Sequence, residues 1–568
     1  MTAVGRRWLR HEWVLASLGG VLLAVVMTWP TLRHPATTIP QDVGDPTLQA
    51  WQIAWGGHAV ITDPAHLWHS NTFFPEPYTY AYSDTLLGYA PFAMIGSGFE
   101  TALVRYNVLY VLLHALAFVG AYALVRQLGG GRGGAAVAGA AFAYAPWRLA
   151  QAGHMHVIST GGIALALAML ARGHGWSLRD GYRPDRVRPG WALAGWLVAA
   201  WQVTLGFGIG LPFVYALAAM CVVAAAAYGL SWWRRREWPP FSRRLLLADL
   251  GGGLAFGAVT IFMALPYLKV VELHPEGRRT PEWVALFSPP LRGFFIAPAE
   301  SWLWGERHAA SRATLGWPAE MTLLPGIVLI ALALTGLFYS VWRLRHRLWL
   351  TAGVVVSVVL AMGTQFGGDG KPGYMTLYGL LPGWDGLRTS GRLVLWTTLF
   401  LAILAAGAVT AVTEAVSMRS PRGRQGLVVA FAAAIPLALV IVEGFNRTPH
   451  VPVTPEPVAL HGVAEPTMVL PSDGIMELTV MLWSTDGFPR IVNGLTSFTP
   501  AGQQEIRNAT VTFPDPGSVA FLRERGIRTV IVLPDRVAGT AWQDVPNRPV
   551  DGLGITREEV GGALVYHL

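Results

Sequence analysis

The sequence predicts a polytopic membrane protein, all-α within the bilayer, with about 11 transmembrane helices and a small C-terminal α/β domain outside it. Three observations predict this. Of 568 residues, 53% are hydrophobic and only 13% charged, with a mean hydropathy of +0.41, whereas soluble domains carry about 25% charged residues. The apolar residues fall in runs of about 20, the length that crosses a hydrocarbon layer. Arginine, finally, recurs in alternate connecting loops.

The runs lie at 12–30, 102–126, 134–152, 157–172, 190–210, 211–230, 247–268, 322–342, 348–364, 391–413 and 427–445. With Arg6, Arg7 and Arg10 inside, every second exit carries arginines: Arg126 and Arg132; Arg172, Arg179, Arg183, Arg186 and Arg188; Arg234, Arg235, Arg236, Arg243 and Arg244; Arg343, Arg345 and Arg347; Arg419, Arg422 and Arg424. A missed helix would invert this alternation downstream, and it never inverts, so the positive-inside rule gives an N-in, C-out topology. The first run is long enough to stay as an anchor and lacks a small-residue cleavage site, so no cleavable signal peptide is expected. Arginine abundance beside only Lys269 and Lys371 fits a GC-rich bacterial genome and places the chain in a bacterial inner membrane.

Composition also excludes functions. The net charge of +8 is dispersed over short loops rather than pooled, which argues topogenic charge and no nucleic-acid partner. The single Cys221 rules out a disulfide framework and a thiolate metal site. Gly129–Gly134 lacks the Gly-Lys-Ser/Thr ending of a phosphate loop and reads as a turn, while 251–253 is a glycine run suited to close helix packing.

This topology puts three long segments outside: 31–101, 269–321 and 446–568, joined by the shorter 365–390. The polytopic domain is therefore 1–445 and the extracytoplasmic domain 446–568. In the first outer loop, 46–61 reads as an amphipathic, Trp-rich interfacial helix bearing Trp51 and Trp55. The apolar 86–98 is too short to span and reads as re-entrant or interfacial. In the tail, a Pro-rich spacer at 449–457 precedes β-like runs at 467–470 and 478–482, a helix at 519–526 and a strand at 528–533.

Asp42 and Asp45 stand in the first outer loop, in QDVGDP at 41–46. An Asp before Pro is a good helix N-cap, which accounts for Asp45 but not for a second carboxylate three residues earlier. Two carboxylates there suit deprotonation of an acceptor hydroxyl and orientation of that hydroxyl or of a cation, Mg²⁺ or Mn²⁺. Asn71 and Glu76 either line a cavity or serve a proline-flanked turn, and outer tryptophans suit stacking on sugars. Glu272, His274 and Glu276 read as solvated loop charge. Arg105 and His114 fall within a membrane run, where ionisable groups are functional suspects, although Arg105 lies near a helix end where snorkelling also serves.

These segments also carry a resemblance. GDPTLQAWQIAW at 44–55, NTFFP at 71–75, APWR at 145–148 followed by HMH at 154–156, LRTSGR at 387–392, and MLWST at 481–485 with VNG at 492–494 resemble segments of bacterial membrane proteins of the GT-C glycosyltransferase superfamily. The resemblance implies a GT-C-like architecture. It implies transfer of a sugar from a polyprenyl-phosphate carrier to a cell-envelope glycan, lipid or protein at the outer face. It implies an acidic general base in the first outer loop, Asp45 first and Asp42 second; the two are not adjacent, whereas many relatives show a contiguous pair. A lipid-phosphate leaving group requires fixed cations, and Arg148, His154, His156, Arg388 and Arg392, placed at outer helix ends, are the candidates. His154 and His156, at i and i+2, do not share a helical face, which disfavours zinc. Two other readings compete. A lipid or saccharide transporter would show inverted repeats and midplane ion pairs, which are absent from the sequence. A non-catalytic cell-envelope assembly factor would tolerate loss of both aspartates.

Overall fold

The computed structural model describes residues 11–235, 242–421 and 424–568. Arg6, Arg7, Arg10, Arg236 and Arg422, used above to orient the chain, lie outside the described residues. Among the described residues, seven helices are long and apolar enough to cross a membrane: Phe99–Leu128, Met155–Gly173, Phe207–Arg234, Arg243–Leu273, Leu344–Ala361, Ser390–Arg419 and Gln425–Glu443. Glu12–Met27 and Ile327–Phe338 are apolar but shorter. The chain is a multi-pass membrane protein.

Each of the apolar runs contains a helix, but not always an unbroken one. The helix in the run at 134–152 stops at Ala143, and only the single turn Trp147–Ala150 follows within the run. Pro146 has no N–H to continue the ladder, so the chain leaves the helical path there. By contrast the helix Phe207–Arg235 runs on through Pro212, since membrane helices tolerate an internal proline where the freed backbone groups find other partners.

The described chain separates into two compact units. The first comprises the residues up to Trp29, Tyr110–Met263 and Arg279–Pro449; the second comprises Pro30–Leu109, Ala264–Arg278 and His450–Leu568.

In the first unit, the helix Val394–Arg419 is buried along most of its length and packs against Arg132–Ala143 and Ile327–Phe338. Lipid gives no hydrophobic drive for helix pairing, so close approach of small residues must do the work. A Cβ at Gly134 would lie 2.5 Å from the Ala406 carbonyl oxygen, and one at Gly336 would strike that of Leu404. Gly252 similarly faces Trp196, whose Cβ lies 2.6 Å from where a side chain would begin; Gly251 and Gly253 have open space. Glu443, buried at the end of its helix, accepts from the Trp304 indole (2.8 Å) and from the Ile327 and Val328 amides (2.6 and 2.9 Å). It thereby satisfies the orphan amides at the N-terminus of Ile327–Phe338.

In the second unit, the short strand Thr38–Pro40 pairs antiparallel with His450–Pro452. A four-stranded sheet runs in the order Thr467–Leu470, Thr529–Val532, Ala563–His567, Thr556–Val560; its first pair is parallel and the rest antiparallel. The helices Met476–Trp483, Ala501–Thr510 and Pro516–Glu524 accompany it. The run 478–482, expected as a strand, is therefore helical. It is buried throughout, and a short apolar run buried on all sides carries no period by which to tell the two apart. The segment 46–61, expected at the interface, is the helix Asp45–Thr62, buried even at Thr47, Gln49 and Gln52. The segment 86–98 forms only the 3₁₀ stretch Leu87–Ala93. It lies against the helix Asp45–Thr62 so closely that a Cβ at Gly57 would collide with Ala93.

Glu443→Ala removes three hydrogen bonds at once, those from the Trp304 indole and from two backbone amides. It is expected to destabilise the protein by about 3 kcal/mol, read as a lowered thermal midpoint of the purified protein; an unchanged midpoint would contradict this role.

Candidate functional site

The acidic loop is built by its flanks. On one side the strand Thr38–Pro40 is fixed by His450–Pro452 and by the Asn107 amide, which donates to the carbonyls of Pro35 and Thr38 at 2.8 Å each. On the other side the buried Thr47 hydroxyl donates to the carbonyls of Val43 (2.7 Å) and Gly44 (2.8 Å). Between these anchors Gln41 is held at φ 74, a conformation that L side chains adopt with strain. The Asp42 carboxylate accepts from the Gly44 amide at 2.7 Å. Gly44, not Asp45, is the N-cap residue; Asp45 is the first residue of the helix and Pro46 the second. Both carboxylates are exposed.

Behind the loop, Trp51 is buried and donates to the Asn71 side-chain oxygen at 3.2 Å. The Asn71 amide in turn donates to Ser484 and to the Pro489 carbonyl, each at 2.9 Å. Asn71 thus ties the helix Asp45–Thr62 to the turn that follows Met476–Trp483. Trp55 donates to the Leu67 carbonyl (3.0 Å) and packs edge-on to Phe488, 5.6 Å between centroids. Glu76 is half-buried, 3.8 Å from His274, whose ring meets the Tyr82 hydroxyl at 2.8 Å. Burial raises the Glu76 carboxyl above its ordinary range, although the His274 and Arg525 charges oppose this. His274, expected as solvated loop charge, is buried.

The first unit holds a separate polar cluster that carries three of the five cationic candidates. Arg392 forms a forked pair with Glu320: Nη2 to Oε1 at 2.6 Å and Nε to Oε2 at 3.3 Å. Its Nη1 lies 3.4 Å from His156 Nε2, and the His154 ring is 5.7 Å from that of His156. The Gln151 amide donates to Glu320 Oε2 at 3.1 Å and to the Ala319 carbonyl at 2.9 Å. Glu320 is only 5% exposed. Burial pushes its carboxyl up, but the Arg392 guanidinium, the His154 ring and the Gln151 amide together outweigh burial and hold it below the ordinary carboxylate range.

The other two cations make different contacts. Arg148 is buried and donates to Thr160 (3.1 Å) and to the Ile158 carbonyl (2.6 Å), closing the 147–160 segment that presents both histidines. Arg388 lies over the rings of Phe287 and Trp283, 5.1 and 5.5 Å from their centroids. Burial, aided by Arg388, pushes the neighbouring Arg279 down to about 10. Arg105 binds the carbonyls of Phe92, Ile95 and Gly96 and so closes the loop before its helix. His114 bonds the Tyr110 carbonyl and stacks on Tyr144.

Sequence reasoning missed Glu320 and Gln151. The available signal was Glu320 itself, a lone acid at the edge of an apolar run between Trp317 and Met321. Among the described residues, Glu456, His461 and Asp486 bring ligand atoms within 4.8 Å of one another, a spacing that suits a divalent cation; His461 and Asp486 are exposed.

No protein-family model matches the sequence, and no curated protein does. Solved structures do. A mycobacterial arabinofuranosyltransferase, AftD, aligns with 99% of this chain at a TM-score of 0.52 and 16% identity, and a point variant of it aligns over 99% at 0.51 and 16%. The chain spans about 40% of that enzyme's length (40% and 41% in the two structures). An oligosaccharyltransferase from Archaeoglobus fulgidus aligns over 94% of this chain and 70% of its own, at a TM-score of 0.41 and 12% identity. The chain has the fold of the GT-C membrane glycosyltransferases.

Asn71→Ala leaves the Trp51 indole and Ser484 without their partner and is expected to lower stability by about 2 kcal/mol, measured by thermal unfolding; a wild-type midpoint would show that the ties are dispensable. Burial, then the neighbouring Asp486, pushes Glu456 up to about 7. Its folded form holds a proton that the unfolded chain releases near 4.5. Its contribution is therefore present at low pH and lost as pH rises through 7. Between pH 5.5 and 8 the wild-type midpoint should fall further than that of Glu456→Gln; parallel profiles would contradict this.

Proposed function

We propose that the protein is a glycosyltransferase that moves a sugar from a polyprenyl-phosphate carrier to a glycan, lipid or protein acceptor of the cell envelope. It does so at the outer face of the bacterial inner membrane. The observation that carries this reading is the GT-C fold over 99% of the chain. On this reading the chain has about 11 spans in an N-in, C-out arrangement. The loops 31–101 and 269–321 and the domain 446–568 then face outward, where the lipid-linked donor is presented. The alternation of arginines supports that sidedness.

Asp45 acts as general base, with Asp42 beside it. The carboxylate takes the proton of the acceptor hydroxyl as its oxygen attacks the anomeric carbon. The bond from that carbon to the phosphate oxygen breaks, and its electron pair leaves on the polyprenyl phosphate. A carboxylate at a strained, well-anchored turn is suited to this because its position is fixed before substrate arrives. The negative charge that grows on the leaving phosphate needs preorganised donors. Arg392, His154 and His156 supply them, Arg148 holds the segment that bears the histidines, and Arg388 adds a cation against an aromatic wall. Trp51 and Asn71 brace the helix that begins at Asp45, and Trp55 and Glu76 line the sugar side. Asp42 and Asp45 would hold Mg²⁺ or Mn²⁺ if the reaction uses one.

The test is turnover of a panel of labelled polyprenyl-phosphate sugars by purified protein in nanodiscs, with and without chelator. Asp45→Asn should reduce turnover by at least about 100-fold while leaving elution on size exclusion unchanged. Undiminished turnover in both Asp45→Asn and Asp42→Asn would remove these carboxylates from the mechanism. A wild type that consumes no donor would count for an assembly factor or transporter.

A further inference from the structure

A buried ion pair is a poor way to stabilise a fold. Desolvation of the two charges offsets most of their attraction, and apolar replacements are often as stable. The Glu320–Arg392 pair therefore calls for another account, and its geometry supplies one. Both Glu320 oxygens are engaged, Oε1 by Nη2 and Oε2 by Nε and by Gln151. This forked contact fixes the plane of the guanidinium and leaves the Nη1 edge toward His156. The carboxylate is itself gripped. Gln151 bonds both Glu320 and the carbonyl of the residue before it. Arg392 is also brought up by its own backbone, because at Gly391 a Cβ would lie only 2.7 Å from the Glu320 carbonyl oxygen. A larger residue there would push the turn away from Glu320.

We infer that Glu320 is a positioning residue for glycosyl transfer in this site: with Gln151 it holds the Arg392 guanidinium, before any substrate binds, in the orientation that receives the anionic leaving phosphate beside His156. The inference rests on the proposed glycosyl transfer. It adds that Glu320 acts wholly through Arg392 and touches neither sugar nor acceptor. A fork held in advance needs no reorganisation when charge develops, so the gain falls on the transition state more than on the ground state. Glu320 also balances the charge of Arg392, which a cation in a buried setting requires.

A double-mutant cycle on kcat and KM decides the matter. Glu320→Gln keeps the shape and loses the charge; it should lower kcat about tenfold with KM within about twofold of wild type. Arg392→Ala should lower kcat about 100-fold. The double variant should be no worse than Arg392→Ala alone. A merely structural Glu320 would instead add its own loss in the Arg392→Ala background, and that result overturns the inference. Gln151→Ala runs as a second cycle that leaves both charges in place. It should lower kcat about threefold in the wild-type background and not at all with Arg392→Ala; it decides the question should Glu320→Gln not fold. Wild-type turnover with additive losses sinks this inference alone. Absence of wild-type turnover on every donor sinks the proposed function and this inference with it.

Discussion

A carboxylate or guanidinium buried without a partner costs several kcal/mol, and the architecture is arranged around the few places where the chain meets that cost with built partners. Glu443 caps the start of Ile327–Phe338 and takes the Trp304 indole. Glu477, fully buried in the second unit, is met by Ser472, by the Gly494 amide at 2.5 Å and by Asn493 at 3.2 Å. Glu320 is met by Arg392 and Gln151. Glu443 closes onto backbone amides and an indole, and Glu477 faces Arg507 at 3.6 Å, whose guanidinium also donates to the Gly494 carbonyl and Ser472. Glu320 differs because the Nη1 edge of its partner Arg392 faces His156 at 3.4 Å, so the same device that satisfies a buried charge also orients one.

The acidic loop follows a different logic. Asp42 and Asp45 are exposed, and what is fixed is the backbone that carries them: a strand pinned by His450–Pro452, a threonine hydroxyl folded back on two carbonyls, and a non-glycine residue at φ 74. Strain of this kind persists only where the surroundings over-determine it. On the proposed reading, an exposed carboxylate on a well-anchored backbone suits a base that must meet a bulky acceptor, whereas buried, paired groups suit a site that must stabilise one developing charge.

Much of the fold was legible in the sequence because the bilayer enforces long apolar runs, and each such run contains a helix. The run at 134–152 was legible in composition but not in continuity, since hydropathy does not register the stop at Ala143 and Pro146. Helix Met476–Trp483 was misread as a strand because Leu478–Leu482 is buried on every side and shows no period. The burial of Asp45–Thr62 was hidden because Gln49 and Gln52 look solvent-facing until their surroundings are known. Of the candidate site, His154, His156 and Arg392 could be singled out as polar residues at helix ends, and the structure brings them together. Arg148 looked identical to them by composition, yet its guanidinium is occupied by Thr160 and Ile158. Glu320 and Gln151 were invisible because their significance lies in a pairing across 72 and 169 residues of chain, which local pattern cannot report.

On the proposed glycosyl transfer, a lipid-linked phosphate is received at the Arg392–His156 edge. A structure of the protein in nanodiscs saturated with a polyprenyl monophosphate tests it most directly. The account predicts a phosphate oxygen within about 3 Å of Arg392 or His156, with the Glu320 fork intact. Phosphate density seated elsewhere, with the Arg392 edge unoccupied, would contradict it.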